Sequence, residues 1–269
     1  MKGMKKFLAV MMILVMALAF AACGSNSKDP ASTDSSADAP KTSGETLIVG
    51  TEPTFPPFDT TDDDGNIVGF DMDLIKAIGE DQGFNVEFRN LEFGGLIGAL
   101  QSGTIDIVVA GMDASEERAA QVDFSDPYYE ASLVVAVAAD NTTINSVDDL
   151  TSDMKVAAQF GTTGAKKVEA LKSEGKIAES VILNGLDTAM MQLINGDVQA
   201  VINDTPVTEA YINKQPDKIK IVGDKMEAEA PYAIAVQKGN AELLEKINTG
   251  LKNIKENGKF DELVEKWFA

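Results

Sequence analysis

Ala99-Leu100-Gln101-Ser102-Gly103 leads into the apolar run 105–110, and 93 residues later Gln192-Leu193-Ile194-Asn195-Gly196 leads into the apolar run 198–202. Each unit reads as the end of a helix, a glycine break and a buried strand. The strand ends then correspond, Gly111 in one unit and Asp204 in the other. A short echo also arises by chance, so the rest of the chain has to agree with it. It does. Working outward, β-type runs at 46–50, 86–89, 105–110, 133–138, 155–158, 181–183, 200–202, 220–222 and 233–236 alternate with helical patterns. Those fall at 71–81, 93–101, 116–121, 164–173, 186–195, 206–214, 241–257 and 260–267. In the helix at 71–81, Leu74, Ile75 and Ile78 share one face. Alternation of this kind predicts open, mostly parallel sheets covered by helices, and the echo predicts two of them. In such sheets ligands sit beyond the carboxyl ends of the strands, so Gly111 and Asp204 are expected to face one cleft.

The chain opens differently. Lys2, Lys5 and Lys6 precede an apolar segment at 7–22, the pattern of a secretory signal and too short for a membrane span. Phe20-Ala21-Ala22-Cys23 then looks like a bacterial lipobox, although Phe20 departs from the usual leucine. The expectation is cleavage before Cys23, lipidation at Cys23 and a tether outside the cytoplasmic membrane, on the cell surface or in the periplasm. The alternative is an ordinary signal peptide with an incidental cysteine. Residues 23–45 are Ser, Ala, Asp, Pro and Lys with no core-forming side chain up to Ser43, and so are expected to stay unfolded. Cys23 is the only cysteine, so no disulfide is available and the fold rests on its core.

Composition excludes several classes. There is no histidine, which removes the commonest general base and zinc ligand and every Ser-His-Asp or Cys-His nucleophile system. Carboxylate-only catalysis stays open. Loss of the signal lysines takes the formal charge from −20 to about −23, which repels nucleic acid. Asp62-Asp63-Asp64-Gly65-Asn66 lacks the glycine and glutamate spacing of a calcium loop and is read as a hairpin turn before Ile67-Val68. No metal or cofactor is expected.

From Thr46 onward the motifs resemble one family. Val49-Gly50-Thr51-Glu52-…-Phe55-Pro56-Pro57-Phe58 and Gly69-Phe70-Asp71-Met72-Asp73-Leu74 look like its opening. Leu96-Ile97-Gly98-Ala99-Leu100-Gln101-Ser102-Gly103, Gly111-Met112-Asp113-…-Glu117-Arg118 and Val122-Asp123-Phe124-Ser125-Asp126-Pro127-Tyr128-Tyr129 continue it. Gln159-Phe160-Gly161-Thr162-Thr163-Gly164 and Asn203-Asp204-Thr205-Pro206-Val207 carry it further. These are similar to the polar amino-acid-binding proteins of bacterial ABC importers, with Gly98 standing where that family usually has proline. The resemblance implies a two-lobed periplasmic-binding-protein fold of type II with two hinge strands. Lobe one would be 46–131 plus 232–269 and lobe two 132–231. It also implies a monomer that is no enzyme and that passes a free amino acid to an ABC permease. A dehydratase-like enzyme on the same fold is the alternative of another class, with Asp113 or Glu52 as acid or base.

Arg118 falls in the first turn of a helix, where the dipole disfavours a cation and Asp113 or Ser115 is the better cap. It either pairs with Glu116 or Asp123 or serves a ligand anion, and the resemblance assigns it the α-carboxylate. Asp204 either caps a helix or, if Thr205 caps with Pro206 in the first turn, stays free for the α-amino group, as the family implies. Gly161-Thr162-Thr163-Gly164 opens a helix with Thr163 as backbone donor to a carboxylate. Gln159 is expected to point at the ligand side chain. Phe55 and Phe93 are core residues or, by the resemblance, an aromatic pair about the ligand. Tyr128 and Tyr129 read as packing near the first hinge. Glu52 is either an exposed strand-end residue or a third acid beside Asp113 and Asp204. Three acids against Arg118 favour a cationic amino acid, arginine or lysine. The combination Glu52, Asp113 and Gln159 looks like the arginine branch; glutamine or cystine is the neutral alternative.

Overall fold

The computed structural model of the protein describes residues 44–269. The signal at 1–22, Cys23 and nearly all of the tether expected at 23–45 lie outside the described residues. The chain begins with β1 (Thr46–Thr51), the ribbon β2 (Thr60–Thr61) and β3 (Ile67–Val68), α1 (Phe70–Gln82) and β4 (Asn85–Asn90). A 3₁₀ turn at Phe93–Gly95 runs into α2 (Leu96–Gln101), followed by β5 (Ile107–Val108), α3 (Glu116–Ala119), β6 (Val122–Phe124) and β7 (Ser132–Ala138). Then come β8 (Lys155–Gln159), α4 (Thr163–Ser173), β9 (Glu179–Leu183), α5 (Leu186–Asn195), β10 (Ala200–Asp204), α6 (Thr205–Lys214) and β11 (Ile219–Glu227). β12 (Ala235–Gln237), α7 (Ala241–Glu256) and α8 (Lys259–Phe268) complete it.

Two five-stranded sheets result, in the orders β4-β1-β5-β12-β6 and β11-β7-β10-β8-β9. In each, three strands connected by helices run parallel. The other two bring antiparallel pairings, β12 with β5 and β6, and β7 with β10 and β11. The sheets are therefore mixed. The cause is connectivity: the chain passes between the sheets twice, at 125–131 and 228–234, and the strands next to these passages enter without a helical crossover. The two passages meet in isolated pairing between Tyr129 and Tyr232. The run 105–110 pairs as a strand over two residues only, because the chain turns at Gly111. β6 was not legible, being three residues behind a helical pattern.

The two sheets are built from the apolar runs that defined them. In α1, Leu74, Ile75 and Ile78 are fully buried, and they meet α7, whose Leu243, Ile247, Leu251 and Ile254 recur at helical spacing. Burying each such side chain contributes about 1.5–3 kcal/mol. Asn240 caps α7, its side chain accepting from the Leu243 amide at 3.3 Å. An aromatic cluster of Phe58, Phe70, Tyr128, Tyr129, Tyr232 and Phe268 packs where the chain passes between the sheets. Tyr128 and Tyr129 are thus packing residues, as read. The hairpin is present: Asp62 accepts from the amides of Asp64 at 3.0 Å and Asn66 at 2.8 Å. No helix among the described residues is long and apolar enough to cross a membrane.

Gly69 joins this hairpin to α1 with φ 147°, and a Cβ built there would lie 2.1 Å from the Phe58 carbonyl oxygen. The obstacle is backbone, which cannot rotate away. Gly69→Ala should lower stability by at least about 1–3 kcal/mol, read as a drop in the denaturation midpoint. An unchanged midpoint would show that the junction relaxes freely.

Candidate functional site

The loops that follow the strands converge between the two sheets. Glu52 follows β1, Gly111 and Asp113 follow β5, Gln159 ends β8 and Asp204 ends β10. All of these are carboxyl ends, the positions expected for a site in open α/β sheets. Glu52, Phe55, Phe93, Asp113, Arg118, Gln159 and Asp204 are all buried. Gly111 supplies close approach: its φ is 53° and a Cβ would come within 2.8 Å of the Phe55 ring.

Arg118 sits in α3 and reaches across the space between the sheets. Its Nη1 donates to the Asp113 carbonyl at 2.8 Å and to Asp113 Oδ1, and its Nη2 donates to the Gly161 carbonyl at 2.6 Å. The guanidinium lies over Phe93, 5.3 Å from the ring centroid. The partner is therefore Asp113, not Glu116 or Asp123. Glu116 lies beside Arg118 in α3 and is exposed, while Asp123 is taken by Lys238 at 2.7 Å. Ser115 occupies the cap position of α3 without capping it by its side chain, and Asp113 is committed to Arg118 instead.

Asp113 also bridges the sheets. Its Oδ2 accepts from Thr163 Oγ1 at 2.9 Å. Thr162 caps α4, accepting from the Ala165 amide at 3.1 Å, so Thr163 sits in the first turn with its hydroxyl turned to Asp113. Glu52 is buried rather than an exposed strand end. It accepts from Thr54 Oγ1 at 2.7 Å and from Gln159 Nε2 at 2.6 Å, and Gln159 also donates to the Asn184 carbonyl at 3.0 Å. Burial pushes the Glu52 carboxyl up, against the pull of its Thr54 and Gln159 bonds.

Asp204, not Thr205, occupies the cap position of α6, yet its side chain makes no capping bond and remains available. Burial raises its carboxyl to about 7. The buried Tyr232 hydroxyl faces it without a hydrogen bond of good geometry. Phe55 packs on Phe58, with ring centroids 6.2 Å apart, while Phe93 faces Arg118. Phe93 and Arg118 also line a cavity of about 240 Å³ with Phe160, Gly161 and Lys166; Glu52, Asp113 and Asp204 are not among its lining residues.

Several residues were not singled out by sequence. Phe160 is exposed, yet its ring covers Gly94 so closely that a Cβ there would lie 2.4 Å away. Lys166 spans from α4 to Glu117 at 2.8 Å and Glu229 at 2.9 Å. Asn184 reaches Glu92 at 3.0 Å, and the Tyr211 hydroxyl donates to the Thr54 carbonyl at 2.9 Å. Asn184 follows β9 at its carboxyl end, a positional signal that strand ends carry. The others depend on how the two sheets meet, which no local pattern encodes.

Chemically, the arrangement holds one cation bonded to one acid, with two further buried acids: Glu52, whose hydrogen-bond partners are neutral, and Asp204, whose side chain makes no hydrogen bond among the described residues. It suits a small ligand that carries both an anionic and a cationic group.

Residues 47–269 match the sequence profile of the bacterial extracellular solute-binding proteins, family 3. A probable histidine-binding protein of Neisseria gonorrhoeae is 32% identical over 270 residues, covering 99% of this chain and 97% of its own. The structure of an ancestral arginine-binding protein bound to arginine superposes with a TM-score of 0.79 at 46% identity, covering 83% of this chain and 98% of that one. A structure of an ancestral arginine-binding protein bound to glutamine gives 0.78 at 46% identity, over 83% and 97%. These relatives are named for binding and not for catalysis, which sets the dehydratase-like alternative aside. The chain is a member of the bacterial extracellular solute-binding proteins, family 3.

Proposed function

We propose that the protein is a receptor for a cationic amino acid, arginine or lysine, held between the two sheets and passed to an ABC permease in the cytoplasmic membrane. One observation carries the choice of ligand. With Arg118 bonded to Asp113, Glu52 remains as a buried acid with neutral hydrogen-bond partners and Asp204 as a buried acid bonded to no cation. Buried charge without a counter-charge is costly. A cationic amino acid brings two positive groups and one negative. Its carboxylate would take guanidinium donors of Arg118, its ammonium would take Asp204, and its side-chain cation would take Glu52 between Phe55 and Phe93. Gly111 and Thr163 would complete the cradle from the two sides. A ligand contacting both sheets favours their closed arrangement by its differential affinity. The structures of relatives with arginine support the class.

A neutral polar amino acid is the second reading. Burial raises both Glu52 and Asp204, and a protonated Glu52 would donate to a neutral amide. The relative solved with glutamine favours it. Calorimetry decides. Arginine should bind the parent about 5- to 150-fold more tightly than glutamine, and Glu52→Gln should remove most of that ratio. Arg118→Ala and Arg118→Lys should weaken both ligands by about 10- to 150-fold, through loss of charge-assisted bonds. A parent that prefers glutamine overturns the cationic reading.

The second test uses pH. An ammonium ligand needs Asp204 ionised, and its carboxyl stands at about 7 without ligand. Below that value binding has to displace a proton. Arginine affinity should therefore fall from pH 8 to pH 6, approaching about tenfold per unit. Asp204→Asn should bind weakly with the slope reduced. A flat parent profile removes Asp204 from the ammonium site.

Anchoring belongs to the same proposal: Cys23 carries a lipid and holds the monomeric receptor outside the cytoplasmic membrane. Cys23→Ser should move the protein from the membrane fraction to the soluble fraction with ligand affinity unchanged. Quantitative retention on the membrane would remove Cys23 as the anchor.

A further inference from the structure

We propose that Asp59 and Asp71 share a single proton, and that this acid pair is an internal strut positioning the two strand-end loops that carry Glu52 and Gly111. The two residues flank the β2–β3 hairpin, one just before it and one just after. They are brought together at its base, where the Asp71 amide donates to the Phe58 carbonyl at 2.9 Å. Both are completely buried.

Each carboxyl uses one oxygen outward. Asp59 Oδ2 accepts from Thr51 Oγ1 at 2.5 Å, at the end of β1 and next to Glu52. Asp71 Oδ2 accepts from the Gly111 amide at 2.7 Å and from the Tyr128 hydroxyl at 2.9 Å. The other oxygen of each, Asp59 Oδ1 and Asp71 Oδ1, is buried without a partner. Two orphan carboxylate oxygens in one core would be costly if both acids were ionised. One proton between the pair turns one orphan into a donor and the other into its acceptor, as in other like-charge carboxyl pairs.

No cation appears among the groups that act on the pair. Glu52 adds a further negative charge toward Asp59. Tyr128, from the passage between the sheets, and Tyr211, on α6, both feel Asp59. Burial is the largest cause raising both carboxyls, and for Asp59 the charge of Asp71 comes next. The consequence for function is mechanical. Glu52 and Gly111 belong to the candidate site, and their loops hang from opposite ends of one acid pair. Neither aspartate touches the space between the sheets that the ligand is proposed to occupy.

The sign of the pH dependence follows. A carboxyl whose folded value lies above its unfolded one stabilises the fold fully below about pH 4, and that contribution is lost as pH rises through the folded value. Asp204 and Glu52 act in the same direction but are retained in the variants below, so a difference isolates the pair.

The experiment is thermal unfolding of the full chain without ligand, from pH 5 to pH 8, for the parent, Asp59→Asn and Asp71→Asn. An amide mimics the neutral acid, donating through Nδ2 and accepting through Oδ1. The expected result is that the amide variants fold, and that the parent's midpoint falls over this range by several degrees more than theirs. A profile parallel to the parent's overturns the proposal, because the pair then exchanges no proton. A parent that gains stability relative to the variants as pH rises also overturns it, since both acids are then ionised around a bound cation. Failure of both amide variants to fold overturns it as well, because a neutral partner is what the shared proton provides.

Discussion

Arg118 is a permanent cation placed where two sheets meet, and a charge in that position has to be answered from both sides. Asp113 answers it from its own loop and the Gly161 carbonyl answers it from the other sheet, with the Phe93 face beneath. Asp113 in turn takes the hydroxyl of Thr163 from the second sheet. Removing one member of a buried pair of this kind typically costs about 3–5 kcal/mol, because the other is left uncompensated. The arrangement therefore fixes the loops after β5 and β8 with respect to each other before any ligand is considered.

The remaining acids follow from that placement. Asp113 is spoken for, so Glu52 and Asp204 are the acids bonded to no cation, and burial lifts both. Their elevation measures how much the interior resists unpaired negative charge. A second tier lies farther out. Lys166 with Glu117 and Glu229 is partly exposed and so contributes little and is screened by salt, whereas the Glu52–Gln159 bond is shielded. The contact between the two sheets thus depends on buried polar bonds more than on the exposed ion pairs.

Much of the fold was legible, because helix and strand periods are local. The run Leu74, Ile75 and Ile78 marked α1, and the glycine after 101 and after 195 marked where helices give way to strands. What was lost was short or dependent on partners. β6 is three residues whose pairing needs β12, more than a hundred positions away. The antiparallel strands arise from the two passages between sheets, which periodicity does not reveal. The cap of α6 moved by one residue, from Thr205 to Asp204, since the cap depends on backbone angles and not on residue type alone.

By itself the sequence determined most of the elements, the two-sheet organisation, the strand-end positions of Gly111 and Asp204, and the oddly placed cation Arg118, because periodicity and residue type act over one or two turns of chain. Glu52, Phe55, Phe93, Asp113 and Gln159 were marked by resemblance to a family and not by spacing. Tertiary structure alone decided the pairings. Asp113 and not Glu116 or Asp123 meets Arg118, and Gln159 meets Glu52. Each of these choices depends on which side chains the packed backbone places within hydrogen-bond distance. That is a property of the assembled backbone, and charge pattern along the chain carries no record of it.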